Sequence, residues 1–234
     1  MLPSFEHSKK IFEDHNLSLT EDVYEKLDTY AEFLTQKNKV MNLTAITDPE
    51  EILIKHFLDS ILITNYISVK KGMRFIDVGT GAGFPLLPVK IYCPEIEITL
   101  LDGNNKRISF LSELCEKISV SAECIHERAE LLARKEGYRE SYDYAVARAV
   151  SAMPVLSEYC LPFVKKGGCF CAMKGPNEDI SLASNALKLL GGEILDDVGY
   201  DLFEEKRKII LVEKISKVSD KYPRPSCKIK SKPL

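Results

Sequence analysis

The sequence predicts an α/β protein, a Rossmann-like and mostly parallel sheet covered by helices on both faces, preceded by a helical extension. Three observations predict it. From residue 73 onward, β-rich runs alternate with helical periods, and helix-length connections of that kind join parallel strands. The apolar residues Met73, Phe75, Ile76 and Val78 lead into the glycine-packed turn Asp77-Val78-Gly79-Thr80-Gly81-Ala82-Gly83-Phe84, and a strand that ends in such a turn before a helix is suited to presenting backbone N–H groups to a nucleotide-like ligand. The next β-rich run closes on Asp102, 23 positions after Gly79, near the spacing at which a carboxylate reaches a ribose diol.

Residues 1–68 read as helices. Thr20 can cap a helix whose apolar face is Val23, Leu27, Tyr30, Ala31 and Leu34. Asp48-Pro49-Glu50-Glu51 gives a second helix a capping residue, a proline in the first helical position and a glutamate in the capping-box position. The segment Asn42-Leu43-Thr44-Ala45-Ile46 connects the two, and its apolar side chains need a surface to pack on. The apolar stripes of this extension are expected to cover one edge or face of the sheet.

Strands are predicted over 73–78, 97–102, 121–125, 142–147, 168–173, 193–200 and 207–214, and helices over 84–92, 104–117, 127–135, 153–164 and 178–190. Only the short charged link Asp201 to Lys206 joins the last two strands, so the sheet of seven strands should end in an antiparallel hairpin. The expected organisation is a helical extension over 1–68, one main domain over 69–216 and a basic tail over 217–234. A chain of 234 residues and 26.4 kDa suits that plan.

Composition excludes several classes. No stretch approaches the roughly 18 apolar residues a membrane span needs. Glu6, Lys9, Lys10, Glu13 and Asp14 interrupt the place where a signal peptide would be apolar, so a cytoplasmic protein is expected. The seven cysteines form no Cys-x-x-Cys pair and the four histidines show no metal spacing, which favours reduced core thiols and no metal. Nothing demands more than a monomer. The formal charge of −3 conceals an asymmetry: Lys217, Lys221, Arg224, Lys228, Lys230 and Lys232 face only Asp220 in the tail. A polyanionic partner or a solvated lysine-rich terminus would each account for it.

In an open α/β sheet the ligand lies beyond the carboxyl ends of the strands. Those ends carry Gly79, Gly81, Gly83 and Phe84, then Asp102, Gly103 and Asn104, then Arg128, Ala129 and Glu130, then Arg148, and finally Lys174 and Gly175. Phe84 occupies the place of the third glycine of a dinucleotide fingerprint, which argues against a nicotinamide cofactor. Asp102 could bind ribose hydroxyls or cap the following helix. Glu130 suits a helix start with or without a ligand. Arg148 ends the otherwise apolar run Tyr144 to Val150, and its guanidinium needs a partner or a wet cleft.

The segments Asn42 to Ile46, His56-Phe57-Leu58-Asp59-Ser60, Asp77 to Pro85, Lys106-Arg107, Arg128-Ala129-Glu130, Ala147-Arg148-Ala149-Val150 and Lys221-Tyr222-Pro223-Arg224 occur in that order. The ordered set resembles the bacterial glucose-inhibited division protein B family, the small-subunit ribosomal RNA guanine-7-methyltransferases. The resemblance runs from about residue 20 to Leu234. It implies a class I S-adenosylmethionine-dependent methyltransferase fold, action on 16S ribosomal RNA, free or within the subunit, and formation of 7-methylguanosine. By analogy the cofactor contacts fall on Gly79, Gly81, Phe84, Asp102, Gly103, Asn104, Ala129, Glu130 and Arg148. Three positions depart from the family pattern: Leu86 in place of a glycine, Gly103 in place of a serine, and Asp220 in place of an arginine.

The 7-nitrogen of guanine offers a lone pair at neutral pH, so in-line methyl transfer there needs no general base, and alignment alone can supply up to roughly 7–11 kcal/mol. That agrees with the absence of a recognisable catalytic set in the sequence. The target base must be single-stranded or flipped out, with Phe84, Tyr222 and Arg148 as candidate stacking platforms. Lys221, Tyr222, Arg224, Lys228, Lys230 and Lys232 are the candidate RNA contacts. Two other readings share the cofactor turn: a methyltransferase of a small molecule or a protein, and a non-catalytic adenosine-nucleotide binder.

Overall fold

The computed structural model describes residues 1–148 and 151–234; Ala149 and Val150, the end of the Ala147-Val150 segment, lie outside the described residues. Helix α1 (Phe5–Glu13) precedes α2 (Glu21–Met41), which Thr20 caps by accepting from the Val23 N–H and which buries Val23, Leu27, Tyr30, Ala31 and Leu34 as their spacing predicts. Asp48 caps α3 (Pro49–Glu51) by accepting from the N–H groups of Glu50 and Glu51. The helix then widens into a π-helix over Ile52–Leu58, continues as α4 (Asp59–Ile61) and ends in a 3-10 turn over Leu62–Asn65.

From there the strands and helices alternate: β1 (Arg74–Val78), α5 (Leu86–Tyr92), β2 (Glu97–Asp102), α6 (Asn105–Lys117), β3 (Glu123–His126), α7 (Ala129–Leu132), β4 (Tyr142–Arg148), α8 (Met153–Cys160), β5 (Val164–Lys174), α9 (Ser184–Leu190), β6 (Gly192–Leu202), β7 (Glu205–Lys214) and α10 (Ser226–Ser231). The sheet order is β3-β2-β1-β4-β5-β7-β6. Pairs among the first five strands are parallel, and β7 runs antiparallel to both β5 and β6.

Several elements differ from their predicted spans for local reasons. The helix expected over 127–135 is only four residues long, because Arg134, Lys135 and Glu136 beyond it offer nothing to bury. The helix over 153–164 gives way after Cys160 to a 3-10 turn containing Pro162. Asp179 caps a 3-10 turn by accepting from the Ser181 N–H, so α9 starts only at Ser184. The link Asp201 to Lys206 is mostly strand, with Leu202 paired to Glu205 around the turn.

Side chains along each strand alternate between two buried clusters, as a pleated sheet covered on both faces requires. Phe75, Val146, Cys169 and Cys171 face the cluster that α1, α2, α5, α6 and the π-helix complete. Ile76, Ala145, Ala147, Phe170 and Ala172 face the one completed by α8, α9 and Ile229 of α10. The N-terminal helices are therefore part of the main core. All seven cysteines are free thiols.

One contact ties the N-terminal helices to the glycine turn. The Tyr30 hydroxyl, fully buried in α2, donates to the Ala82 carbonyl, and Gly83 adopts a φ of +103° beneath it, where a Cβ would lie 2.5 Å from that hydroxyl and 2.9 Å from Leu111 Cδ2. Gly81 has a φ of +61° with nothing within 4 Å of a Cβ. Gly81→Ala should cost only the left-handed backbone penalty, about 1–2 kcal/mol, whereas Gly83→Ala should cost about 3 kcal/mol or more because packed atoms must also move. Urea unfolding of the two variants checks the order, and equal losses would refute the Tyr30 clamp.

Candidate functional site

The carboxyl ends of β1 to β5 open onto two adjoining clefts. The first, about 620 Å³, is lined by Leu43, Thr44, His56, Gly79 to Ala82, Phe84, Asp102 to Asn104, Arg107, Arg128, Arg148 and Lys230. It continues into a narrower recess of about 190 Å³ at Ala129 and Glu130. The second cleft, about 640 Å³, is lined by residues that include Ile46, Lys55, His56, Asp59, Arg148, Lys174, Glu178 and Tyr200. His56 and Arg148 belong to both clefts and form the junction.

The glycine turn holds itself together differently from the expectation of free N–H groups. The N–H groups of Gly79 and Thr80 donate to the Leu101 carbonyl, those of Gly83 and Phe84 to the Thr80 carbonyl, and that of Gly81 to Asp102 Oδ2 at 3.0 Å. The turn therefore contributes shape and close approach. The buried acceptors beside the turn are the carboxylates of Asp102 and Glu130.

Asp102, 6% exposed, accepts from the Gly81 and Asn104 N–H groups and from Arg107 Nη1 at 3.3 Å. Asn104, not Asp102, caps α6 by accepting from the Lys106 N–H, which removes the capping alternative. A carboxylate has about four acceptor directions, so Asp102 retains one, and the Arg107 side chain, 42% exposed, can yield another. Glu130, 7% exposed, bonds only Arg128 Nε, at 3.4 Å, among the described residues. Two under-committed buried carboxylates that both line the recess beside the glycine turn suit a ligand carrying hydroxyl and amine donors, as an adenosine does. Leu86 fills the departure position with a fully buried side chain. A Cβ on Gly103 would meet only Arg128, at 3.4 Å, so neither departure blocks the cleft.

Arg148 finds its partner in Asp59: Nη1 donates to Asp59 Oδ2 at 3.0 Å and to the Lys55 carbonyl at 3.1 Å. Tyr200, from β6, donates to the other Asp59 oxygen at 2.7 Å. The Arg148 guanidinium lies 4.9 Å from the Phe84 ring centroid, and His56 stacks on Phe84 at 4.3 Å and 16°. Phe84 also stacks on Tyr30 and is 7% exposed, so it is not available as a base platform. Burial and the Arg148 charge push His56 down to about 3, against the smaller opposing pull of the Lys55 carbonyl. It is neutral at physiological pH.

Thr44, His56, Asp59 and Tyr200 are the residues that strand-end reasoning missed. The π-helix turns His56 into the junction, and widened turns of that kind gather at functional sites. The only sequence signals were the apolar connector around Thr44 and the segment His56 to Ser60, noticed through resemblance alone.

The tail is ordered against the body. Arg134 and Arg139 donate to main-chain carbonyls of the tail, from Val218 to Pro223. Arg224, expected as an RNA contact, is turned inward. Its Nε and Nη2 grip fully buried Glu158, with Nη2 to Oε2 at 2.7 Å, so its charge is already neutralised. Tyr222 is half-buried, Lys221, Lys228 and Lys232 are exposed, and exposed Lys230 lines the first cleft. Asp220 is fully exposed, 3.7 Å from Arg139. Among the described residues no His, Cys, Asp and Glu group could hold a metal ion, and no helix is long and apolar enough to cross a membrane.

The sheet order and the antiparallel seventh strand define a class I methyltransferase fold. Solved structures agree: TYW2 of M. jannaschii in complex with AdoMet superposes with a TM-score of 0.52 at 13% identity, covering 68% of this chain and 76% of that one. The 1,6-didemethyltoxoflavin-N1-methyltransferase of Burkholderia thailandensis, with bound S-adenosylhomocysteine, gives 0.51 at 9% identity, covering 68% and 77%. The family model GidB, rRNA small subunit methyltransferase G, matches residues 23–195. Proteins named ribosomal RNA small subunit methyltransferase G are 43% identical in Clostridium kluyveri, over 98% of both chains, and 47% identical in Acetivibrio thermocellus, over 93% of this chain and 91% of that one. The chain belongs to the rRNA small subunit methyltransferase G family.

A buried carboxylate beneath the turn gives the site a pH signature. Asp77 Oδ2 accepts from the Thr80 hydroxyl and the Leu86 N–H, but Oδ1 is buried with no partner among the described residues. Burial raises its pKa from 3.8 to about 7 against those two hydrogen bonds. Between those values the native state retains a proton that the unfolded chain has released, so stability falls as pH rises from about 4 to about 7 and levels off above. Asp77→Asn should flatten this decline and be more stable than the parent at pH 8. An unchanged slope in unfolding titrations would contradict the buried-acid assignment.

Proposed function

We propose that this chain methylates the 7-nitrogen of a guanine in small-subunit ribosomal RNA, using S-adenosylmethionine, as a monomer in the bacterial cytoplasm. The observation that carries the reading is the pair of adjoining clefts meeting at His56 and Arg148 in a chain of the rRNA small subunit methyltransferase G family. Held by the glycine turn, Asp102 and Glu130, S-adenosylmethionine would supply an electrophilic methyl group to the N7 lone pair, its carbon–sulfur bonding electrons remaining on sulfur.

The chain's own residues have positioning roles. Gly79, Gly81 and Phe84 form the floor of the donor cleft, Asp102 with Gly103 and Asn104 receives the ribose hydroxyls, and Ala129 with Glu130 receives the adenine amine. Arg148 walls the junction. No junction side chain is poised to take a proton: guanidinium stays charged, neutral His56 has both ring nitrogens in hydrogen bonds, and both Asp59 oxygens are engaged. That suits a nucleophile needing no deprotonation. Residues 1–68 act as an extension that clamps the turn through Tyr30 and supplies Thr44, His56 and Asp59, and residues 69–216 form the methyltransferase domain. In the tail over 217–234, Lys221, Lys228, Lys230 and Lys232 with Tyr222 contact RNA, while Arg224 holds the tail in place.

Incubation with methyl-labelled S-adenosylmethionine and, separately, small subunits lacking the modification, naked RNA or a metabolite extract tests the reading. Label should enter RNA or subunits and digest to 7-methylguanosine; label only in extract, or in no sample, would overturn it. Exchanging the four lysines for glutamine should weaken RNA binding and reduce the slope of log affinity against log salt by roughly 0.7 per lysine. An unchanged slope would remove the tail from the interface.

A further inference from the structure

We infer that the Thr44 hydroxyl reads the 6-oxygen of the target guanine and so selects guanine over adenine at the junction of the two clefts. The inference rests on the guanine reading above and adds the residue that enforces it.

Hydrogen-bond bookkeeping around His56 fixes the direction of this hydroxyl. Arg148 Nη2 lies 3.3 Å from His56 Nδ1, and a guanidinium can only donate, so Nδ1 is the acceptor of the neutral ring. The ring hydrogen is then on Nε2, which donates to Thr44 Oγ1 at 2.8 Å. The Ile46 N–H donates to the same Oγ1 at 3.0 Å. A hydroxyl has two acceptor lone pairs and one hydrogen. Both lone pairs are taken, and the hydrogen has no acceptor among the described residues. The low His56 pKa of about 3, set by burial and then by the Arg148 charge, agrees with a ring that stays neutral.

The position of Thr44 is fixed as firmly as its donor direction. Its N–H donates to Asn38 Oδ1 and its carbonyl accepts from Asn38 Nδ2, both at 2.9 Å. Thr44 lines the donor cleft, Ile46 two residues on lines the acceptor cleft, and His56 lines both. A rigid hydroxyl with an unspent hydrogen therefore stands where methyl and acceptor must meet. On guanine the group beside N7, on the same edge, is the O6 acceptor; on adenine it is the N6 amine, a donor. A donor at this place bonds guanine and meets adenine hydrogen to hydrogen. Selection by hydrogen-bonding chemistry is stronger than selection by shape.

The test uses semi-synthetic small-subunit RNA assembled into subunits, carrying at the mapped methylation position either guanine or 2-aminopurine, which lacks O6 but keeps N7. Wild type should prefer guanine by roughly 100-fold in kcat/KM. In Thr44→Val the preference should fall below about threefold, and Thr44→Ser should restore it. A merely structural Thr44 would slow both bases alike and leave the ratio intact, and that result would overturn the inference. Equal methylation of both bases by wild type would overturn it without recourse to any variant. Absence of 7-methylguanosine with the wild-type enzyme would instead bring down the guanine reading itself, and this inference with it.

Discussion

The Arg148 guanidinium at the end of β4 is the constraint from which the site is built. A cation at the end of a buried strand must be paired and hydrogen-bonded, and its partners come from one stretch of the N-terminal helices. The Lys55 carbonyl and His56 belong to the π-helix, Asp59 follows it directly, and Tyr200 joins from β6 through Asp59. Satisfying one charge thus brings the extension and the last hairpin to the mouth of the parallel sheet. Burial, and after it the same charge, keeps His56 neutral, and the guanidinium fixes its tautomer, which in turn sets the donor direction of Thr44. Electrostatics at one residue therefore shapes both clefts at their junction.

The glycine turn is the complementary constraint, and it acts through space more than through hydrogen bonding. Five of its N–H groups are engaged inside the protein, Tyr30 grips it from above, and Asp77 lies buried under it with one oxygen unpaired among the described residues. A buried acid without a full set of partners costs stability once ionised. It persists here because the oxygen that is satisfied bonds both Thr80 and Leu86, the two ends of the turn. The turn is thereby held open at Gly81, where a Cβ would meet nothing within 4 Å.

Much of this was legible in the sequence, and what was not has identifiable causes. Strand periodicity and the spacing from Gly79 to Asp102 specify the sheet, because local pattern determines which face each residue takes. The N-cap signals at Thr20 and Asp48 mark helix starts that the structure contains. The π-helix carries no comparable signal, since one extra residue per turn leaves the apolar pattern looking helical. His56, Asp59 and Tyr200 were invisible for a different reason: each acquires its role from a residue about 90 or more positions away, and single-sequence periodicity holds no information about such pairs. Family resemblance had singled out the His56 to Ser60 segment without saying what it does.

The tail shows how a charge count can mislead. Six basic residues in a short terminal stretch suggested one solvated or nucleic-acid-facing surface, yet burial sorts them. Arg224 lies over Glu158, which is fully buried in α8 and would be costly without it, and Ile229 enters the core. Cations of the body, Arg134 and Arg139, are used to hold tail carbonyls rather than to present charge. What remains outward is lysine, the residue whose flexible point charge suits phosphates without fixed geometry. Arginine, with its planar fork, has been used for internal bonds. The division of labour follows from the chemistry of the two cations, and among the described residues Lys230 is the tail lysine that lines the first cleft. The segment thought of as an appendage thus forms part of the wall of the first cleft and of its recess.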